Sequence, residues 1–141
     1  MTTFTLEYLA DHPHFAPTLA AWHNSQWHYL DVDVSVQDRT DRLQTHGRHQ
    51  VPTTVVALSD HELLGSASLI AHGMDIRMEL TPWLASAFVA PEYREQGIGS
   101  ALVKRIVGEA KALGFPHLYL FTADREHFYA RLGWQVLERL D

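Results

Sequence analysis

Cysteine is missing from the 141-residue sequence. Its absence excludes disulfide bonds, thiolate catalysis and any cysteine-ligated metal site. Basic residues are also scarce: 11 Lys and Arg stand against 17 Asp and Glu, for a net charge of −6. Nucleic acids and anionic membrane surfaces require a basic face, so neither is expected as a partner. The balance favours a cationic small molecule or a basic peptide instead. No apolar run approaches the ~18 residues needed to cross a bilayer. The opening residues, "MTTFTLEYLADHP", lack the basic start and long apolar stretch of an export signal, which makes the cytoplasm the expected location. Internal repeats, low-complexity tracts and linkers do not occur. With 46% apolar and 20% charged residues, the composition fits one globular domain over residues 1–141 with a single buried core.

Residues 4–9, "FTLEYL", alternate at period two and predict a half-buried strand. Pro17 and the apolar residues after it predict a helix ending near Trp27. Ser35 is a good N-cap, and Asp38 places negative charge in the first turn of a second helix running from about Val36 to His46. Residues 53–71 read as two strands joined at Ser59-Asp60-His61, with Gly65, Ala67 and Ser68 marking close packing or a bulge. Residues 72–81 read as a loop. The near-continuous apolar run 83–89, "WLASAFV", predicts a central strand covered on both faces. From Ile98 to Leu113 the apolar residues keep helical spacing, and Gly114 supplies the stop. A strand over 117–122, a short helix closed by Gly133 and a last strand over 134–140 complete the order β-α-α-β-β-β-α-β-α-β, an α/β sandwich.

The stretch between the central strand and the long helix carries the chemistry. "YREQGIGS", residues 93–100, puts Gly97 and Gly99 at a helix start. There the first-turn N–H groups lack intrahelical partners and the helix dipole favours an anion. Arg94 adds a full positive charge, and a pyrophosphate would be well held. A strand-to-helix turn also uses glycine for steric reasons alone, so the pair is weak evidence by itself. A Walker loop is excluded because Ser100-Ala101 follows Gly99 where Lys-Ser/Thr is required. A dinucleotide fingerprint is excluded because Leu102 stands at the third glycine position and the next strand ends without an acidic residue.

Histidine occurs ten times. His12 and His14 are two apart, His46 and His49 three apart, and neither pair joins a third ligand at a fixed spacing. No HExxH helix is present, and no metal is expected.

"FVAPEYREQGIGSALV" with its Arg94-x-x-Gly97-x-Gly99 core resembles the central motif of the GCN5-related N-acetyltransferases. "HFYARLGW", some thirty residues on, resembles that family's second signature, and the element order resembles it over nearly the whole chain. The resemblance implies a mixed central sheet with helices on both faces and acetyl-CoA as co-substrate. It implies that Phe88 and Val89 lie where two parallel strands splay, free to pair with the pantetheine amides. The N–H groups of residues 94–100, including Arg94, Gln96, Gly97, Ile98, Gly99 and Ser100, would hold the coenzyme A pyrophosphate. Asp124 stands nearest the place where many relatives carry asparagine. The "TADREHFY" spacing is more similar to the branch that contains the actin N-terminal acetyltransferase. Tyr129 would be the general acid that protonates the departing thiolate, with an ordinary pKa of ~10, near that of a thiol. A tyrosine tied to backbone is the competing role for this position.

Deprotonation of the amine requires a base or a water path. The resemblance implies Glu79, a position from which this family often uses a carboxylate through water. His72, Asp75 and Ser86 stay open beside it. The family's first two helices wall the acceptor, which makes Trp27 and Tyr29 an expected aromatic wall, with a cation–π component for a charged amine. Internal packing is the alternative for both. Arg39, Arg42 and Arg77 could make the cleft locally basic. Relatives usually finish with a further hairpin strand, where this chain has only Asp141 after "WQVLERL". Either the sheet is shorter, or the partner subunit of a homodimer covers its edge.

The implied activity is direct transfer of an acetyl group from acetyl-CoA to a primary amine of a small molecule or peptide. Two alternatives share the cleft: a non-catalytic coenzyme A-binding regulatory module, and an acyltransferase of the same fold that uses another acyl group.

Overall fold

The computed structural model describes residues 3–74 and 76–139. Four strands form one antiparallel sheet in the order β1 (Thr5–Tyr8), β2 (Thr53–Ser59), β3 (Glu62–Ile70) and β4 (Trp83–Val89). The helices are α1 (Ala16–Trp27), α2 (Val36–Leu43), α3 (Ile98–Ala112) and α4 (Glu126–Arg131).

The period-two pattern of β2 explains how helices come to cover both faces. Val55 and Ala57 point into a core shared with Ile98, Leu102, Val103 and Ile106 of α3. Val56 and Leu58 point the other way, into a core shared with Leu19 and Ala20 of α1 and Leu43 of α2. Alternate side chains of one strand thus serve two layers. The α2 start is the one expected: Asp38 N donates to Ser35 Oγ at 3.0 Å, and Ser35 N donates back to Asp38 Oδ2 at 2.9 Å. This reciprocal capping box satisfies two donors at the start of α2. The helix ends at Leu43, three residues before the expected His46.

Gly65 marks a close approach. A Cβ there would lie 2.5 Å from the carbonyl oxygen of Phe88 on β4, so only glycine allows β3 and β4 to pair at this point.

Two expected strands differ from the observed structure. The run 117–122 makes a single parallel bridge, Tyr119 to Trp83. Leu84 N donates to the Tyr119 carbonyl at 2.8 Å, and Tyr119 N donates to that of Pro82 at 3.1 Å. Beyond that point β4 bulges and the two segments part. Residues 134–139 form no strand, because the neighbour they would pair with has itself left the sheet. That tail is held by side chains instead: Arg77 pairs with Glu138, and Arg139 with Glu126.

Candidate active site

The parting of β4 from residues 117–122 opens a cleft of about 750 Å³. One wall is the outer edge of β4 from Ala85 to Val89, and the opposite wall is residues 121–125 and α4. The edge is set by a bulge. Ser66 of β3 stands opposite Phe88 and Ser68 opposite Ala85, so β4 fits Ser86 and Ala87 into the space of one β3 residue. Ser86 takes the strain with φ +54°, a left-handed conformation that non-glycine residues rarely adopt. A bulge bends its strand and increases local twist, which swings β4 away from Tyr119.

After β4 the chain makes a short 3-10 turn at Pro91–Tyr93 and enters α3 through Gly97, at φ +84°. No side chain caps this helix. Its first-turn N–H groups are therefore left at the cleft, where Gly97, Ile98, Gly99 and Ser100 form the lining. A Cβ on Gly99 would meet Phe128 at 3.6 Å and Val89 at 3.7 Å, ordinary contacts. The protein itself does not require glycine at that position.

Charge in the cleft runs against the charge of the molecule. Arg94, Arg125 and Arg131 line it, with Glu95 and Asp124 as the only carboxylates of the lining among the described residues. The basic excess favours an anion in a protein whose net charge is −6. Arg94 is anchored by its Nε, which donates to the Val89 carbonyl at 2.8 Å, and its guanidinium lies 5.5 Å from the Phe88 ring centroid. Its two terminal nitrogens make no hydrogen bond among the described residues, and both are available to a ligand.

Tyr129 enters from α4. Its ring is wedged against Phe128 at 5.0 Å and Trp134 at 6.0 Å. Its hydroxyl makes no hydrogen bond to backbone or side chain among the described residues. Burial pushes its pKa up; the Arg125 guanidinium opposes this and the Asp124 carboxylate adds to it. The phenol thus stays protonated through the neutral and mildly alkaline range.

At the other end, Trp27 packs edge-on to Phe88 at 6.1 Å and lines the cleft with Tyr29, Leu30, Trp83 and Phe121. Tyr29 is 67% exposed, a wall residue open to solvent. Trp22 is half-buried, faces the α1–α2 core and touches Phe88 at 5.7 Å.

One cleft therefore brings together Trp27, Tyr29, Phe88, Val89, Arg94, Gly97, Ile98, Gly99, Ser100, Asp124 and Tyr129. It does not include Gln96, which is half-buried in the turn, or Glu79, which is exposed. His72 is also exposed and outside the lining, and Asp75 lies outside the described residues. Among the described base candidates, Ser86 lines the cleft and His72 and Glu79 do not. Arg39 and Arg77 do not supply its basic character: Arg39 Nε donates to Asn24 at 3.3 Å, and Arg77 pairs with Glu138. Arg125, Arg131, Phe121 and Ser66 were not singled out from the sequence. Arg131 lies within the "HFYARLG" signature and Arg125 two residues before it, the one signal that could have found them.

A second cavity of about 660 Å³ lies at the β1–β2 end and is lined in part by Glu7, His12, His14 and His61. Among the described residues, no three His, Asp or Glu side chains are grouped so as to hold a metal ion.

Comparison with known proteins gives one family. The sequence profile of the Acetyltransferase (GNAT) family matches residues 16–134. N-alpha-acetyltransferase 80 of Mus musculus is 30% identical over 121 residues, which is 82% of this chain and 36% of that protein. The chain thus spans about a third of that relative's length. Among solved structures, a GCN5-related N-acetyltransferase from Ralstonia eutropha JMP134 superposes with a TM-score of 0.76 at 17% identity, covering 99% of this chain and 97% of that one. A Clostridium acetobutylicum protein solved with acetyl-CoA gives 0.73 at 14% identity, covering 99% and 95%. These two similarities concern the fold.

Proposed function

Because the chain belongs to the GNAT family of acetyltransferases, we propose that it transfers the acetyl group of acetyl-CoA directly to a primary amine. The observation that carries this reading is the cleft's composition. The free edge of β4, an uncapped helix start and an unbonded tyrosine hydroxyl share one continuous lining.

The residues present fit the co-substrate. The first-turn N–H groups of α3 and the free nitrogens of Arg94 suit a pyrophosphate. The outer edge of β4 at Phe88 and Val89, which no further strand covers, suits an amide of an extended pantetheine arm in the manner of strand addition, with the Val89 carbonyl already held by Arg94 Nε. When bound, acetyl-CoA supplies an activated acyl carbon and a thiolate leaving group. Tyr129 Oη holds a proton that burial keeps on the phenol, and it delivers that proton to sulfur. Trp27 and Tyr29 orient the amine and shield it from water. The bulge residue Ser86, which the cleft exposes where Glu79 does not reach, holds a water that receives the amine's proton.

The test is Tyr129→Phe. Turnover falls by about 10²–10⁴-fold while coenzyme A binding by calorimetry is retained. Thiol release and mass spectrometry across an amine panel give the complementary readout. Tight coenzyme A binding with no acetylated product would favour a regulatory module instead.

A further inference from the structure

Among the buried residues of α1, His23 stands out because it is an imidazole, 3% exposed, in a helix face otherwise filled by Ala16, Leu19 and Ala20. Burying a polar ring is costly unless its hydrogen bonding is satisfied. His23 Nε2 lies 3.0 Å from Ser66 Oγ, and Ser66 is fully buried on β3. Ser66 Oγ in turn donates to the carbonyl of Ser86 at 3.3 Å. That carbonyl belongs to the left-handed bulge residue of β4, the point where the strand leaves Tyr119 and turns its edge to the cleft.

Both contacts are hydrogen bonds at once in only one direction. A serine hydroxyl carries one proton. Since Ser66 gives that proton to Ser86, it must accept from His23. The imidazole is therefore the tautomer protonated on Nε2, and the order is His23 N–H to Ser66 O–H to Ser86 C=O. The geometry points to His23 as a positioning residue for acyl transfer: through Ser66 it fixes the Ser86 carbonyl, and so the angle at which the β4 edge meets the co-substrate.

Three further observations agree. The imidazole packs at 5.4 Å on Trp27 and 6.2 Å on Phe88, so one ring supports both the bulge and the aromatic wall. Burial, above all, keeps it neutral, and the charged and titratable groups facing it, Arg39 of α2 and His46 just beyond that helix, act in the same direction. A neutral ring of fixed tautomer is a donor at every working pH. A left-handed serine is also strained, and such a conformation persists only when its surroundings hold it.

The kinetic part of the test rests on the proposed transfer activity; the spectroscopic part does not. His23→Leu keeps bulk and removes the donor, His23→Gln restores an N–H, and Ser66→Ala removes the middle link. With a saturating amine, His23→Leu and Ser66→Ala each lower kcat by about ten- to a hundredfold. The double variant is no slower than the slower single variant, because the two residues act as one unit. His23→Gln recovers most of the rate, and the shape of the kcat–pH profile is the same throughout. In ¹⁵N-labelled protein without ligand, His23→Leu and Ser66→Ala shift the same amides, Ser86 to Phe88, and leave those of β1 in place. Multiplicative losses, a His23→Gln variant as slow as His23→Leu, or unshifted bulge amides would overturn the assignment. Should His23→Leu fail to fold, Ser66→Ala and its bulge amides decide alone. A wild-type protein without acetyl transfer would sink the proposed function and leave the amide shifts as the test of the relay.

Discussion

At the residue scale, the two ends of the cleft make different demands. Tyr129 acts by holding a proton, and burial, the largest influence on it, raises its pKa above the ordinary value of 10.0. A raised pKa means that the protonated form persists further into alkali. The alkaline loss of turnover that depends on Tyr129 therefore falls above that ordinary value, and a limb at lower pH belongs to another group. A kcat–pH profile of wild type against Tyr129→Phe separates the two. Trp27 acts by contact. Trp27→Ala raises the KM for the amine by about tenfold, the scale of one aromatic and cation–π contact, while the KM for acetyl-CoA stays within about threefold. Equal rises in both would show that Trp27 only braces Phe88. The sequence pointed to Tyr129 because its chemistry sits inside a local signature. It could not expose Arg125 or Arg131 as cleft cations, since a guanidinium beside a short helix reads as a solvated surface charge. His23 was invisible for a different reason: its partner Ser66 is 43 residues away, and no spacing rule links a helix to a strand across a sheet face.

At the element scale, the β4–α3 turn carries the sharpest distinction between a steric turn and a ligand cradle. Gly97 has φ +84°, and a Cβ added there would find nothing within 4 Å. Gly97→Ala therefore costs only the left-handed backbone, about 1–2 kcal/mol. Gly99 has open contacts of 3.6 and 3.7 Å and lies in the first helical turn. Gly99→Ala leaves the thermal midpoint the same or higher, since alanine is the better helix former by about 1 kcal/mol in a helix interior. It nevertheless raises the KM for acetyl-CoA severalfold, because the new methyl group occupies ligand space. An unchanged KM in that variant would reduce the glycine pair to turn chemistry. The elements themselves were legible wherever a local pattern sufficed: the Ser35 cap, the period-two strands, the α3 stripe and the existence of the strand 83–89, which however is the sheet's edge and mostly half-buried rather than a central strand covered on both faces. The two strands that differ, 117–122 and 134–139, have strand-like composition, but pairing is a property of the neighbour. The bulge at Ser86 removes that neighbour, and nothing in "WLASAFV" marks Ser86 as left-handed.

At the scale of the whole molecule, the two layers around the sheet are chemically unlike. The α3 side is largely apolar, whereas the α1–α2 side carries one buried imidazole, His23, and one half-buried, His46. His23 meets Ser66, and His46 Nδ1 lies 2.7 Å from Thr54 Oγ1, which lies 2.8 Å from Ser68 Oγ. Burial lowers the pKa of both histidines, that of His23 to about 3. The folded state then binds fewer protons than the unfolded chain below the ordinary value of 6.5, so their contribution to stability is full above that pH and declines as pH falls toward about 3. One histidine shifted as far as His23 removes about 2 kcal/mol by about pH 5. Carboxylates with lowered pKa, such as Glu7, Asp38 and Glu138, work in the same direction but only near and below about pH 4. The window from about pH 6.5 to about pH 5 therefore isolates the imidazoles. Over that window the excess negative charge is partly neutralised, which relieves self-repulsion and opposes the loss. Urea unfolding at about pH 7.5, 6 and 5 shows which effect wins: stability falls across the series, and His23→Gln, which cannot titrate, loses less, with His46 contributing to the remainder. Constant stability across the series would mean that the α1–α2 layer admits protons in the folded state, and that His23 is not the sealed donor on which the bulge depends.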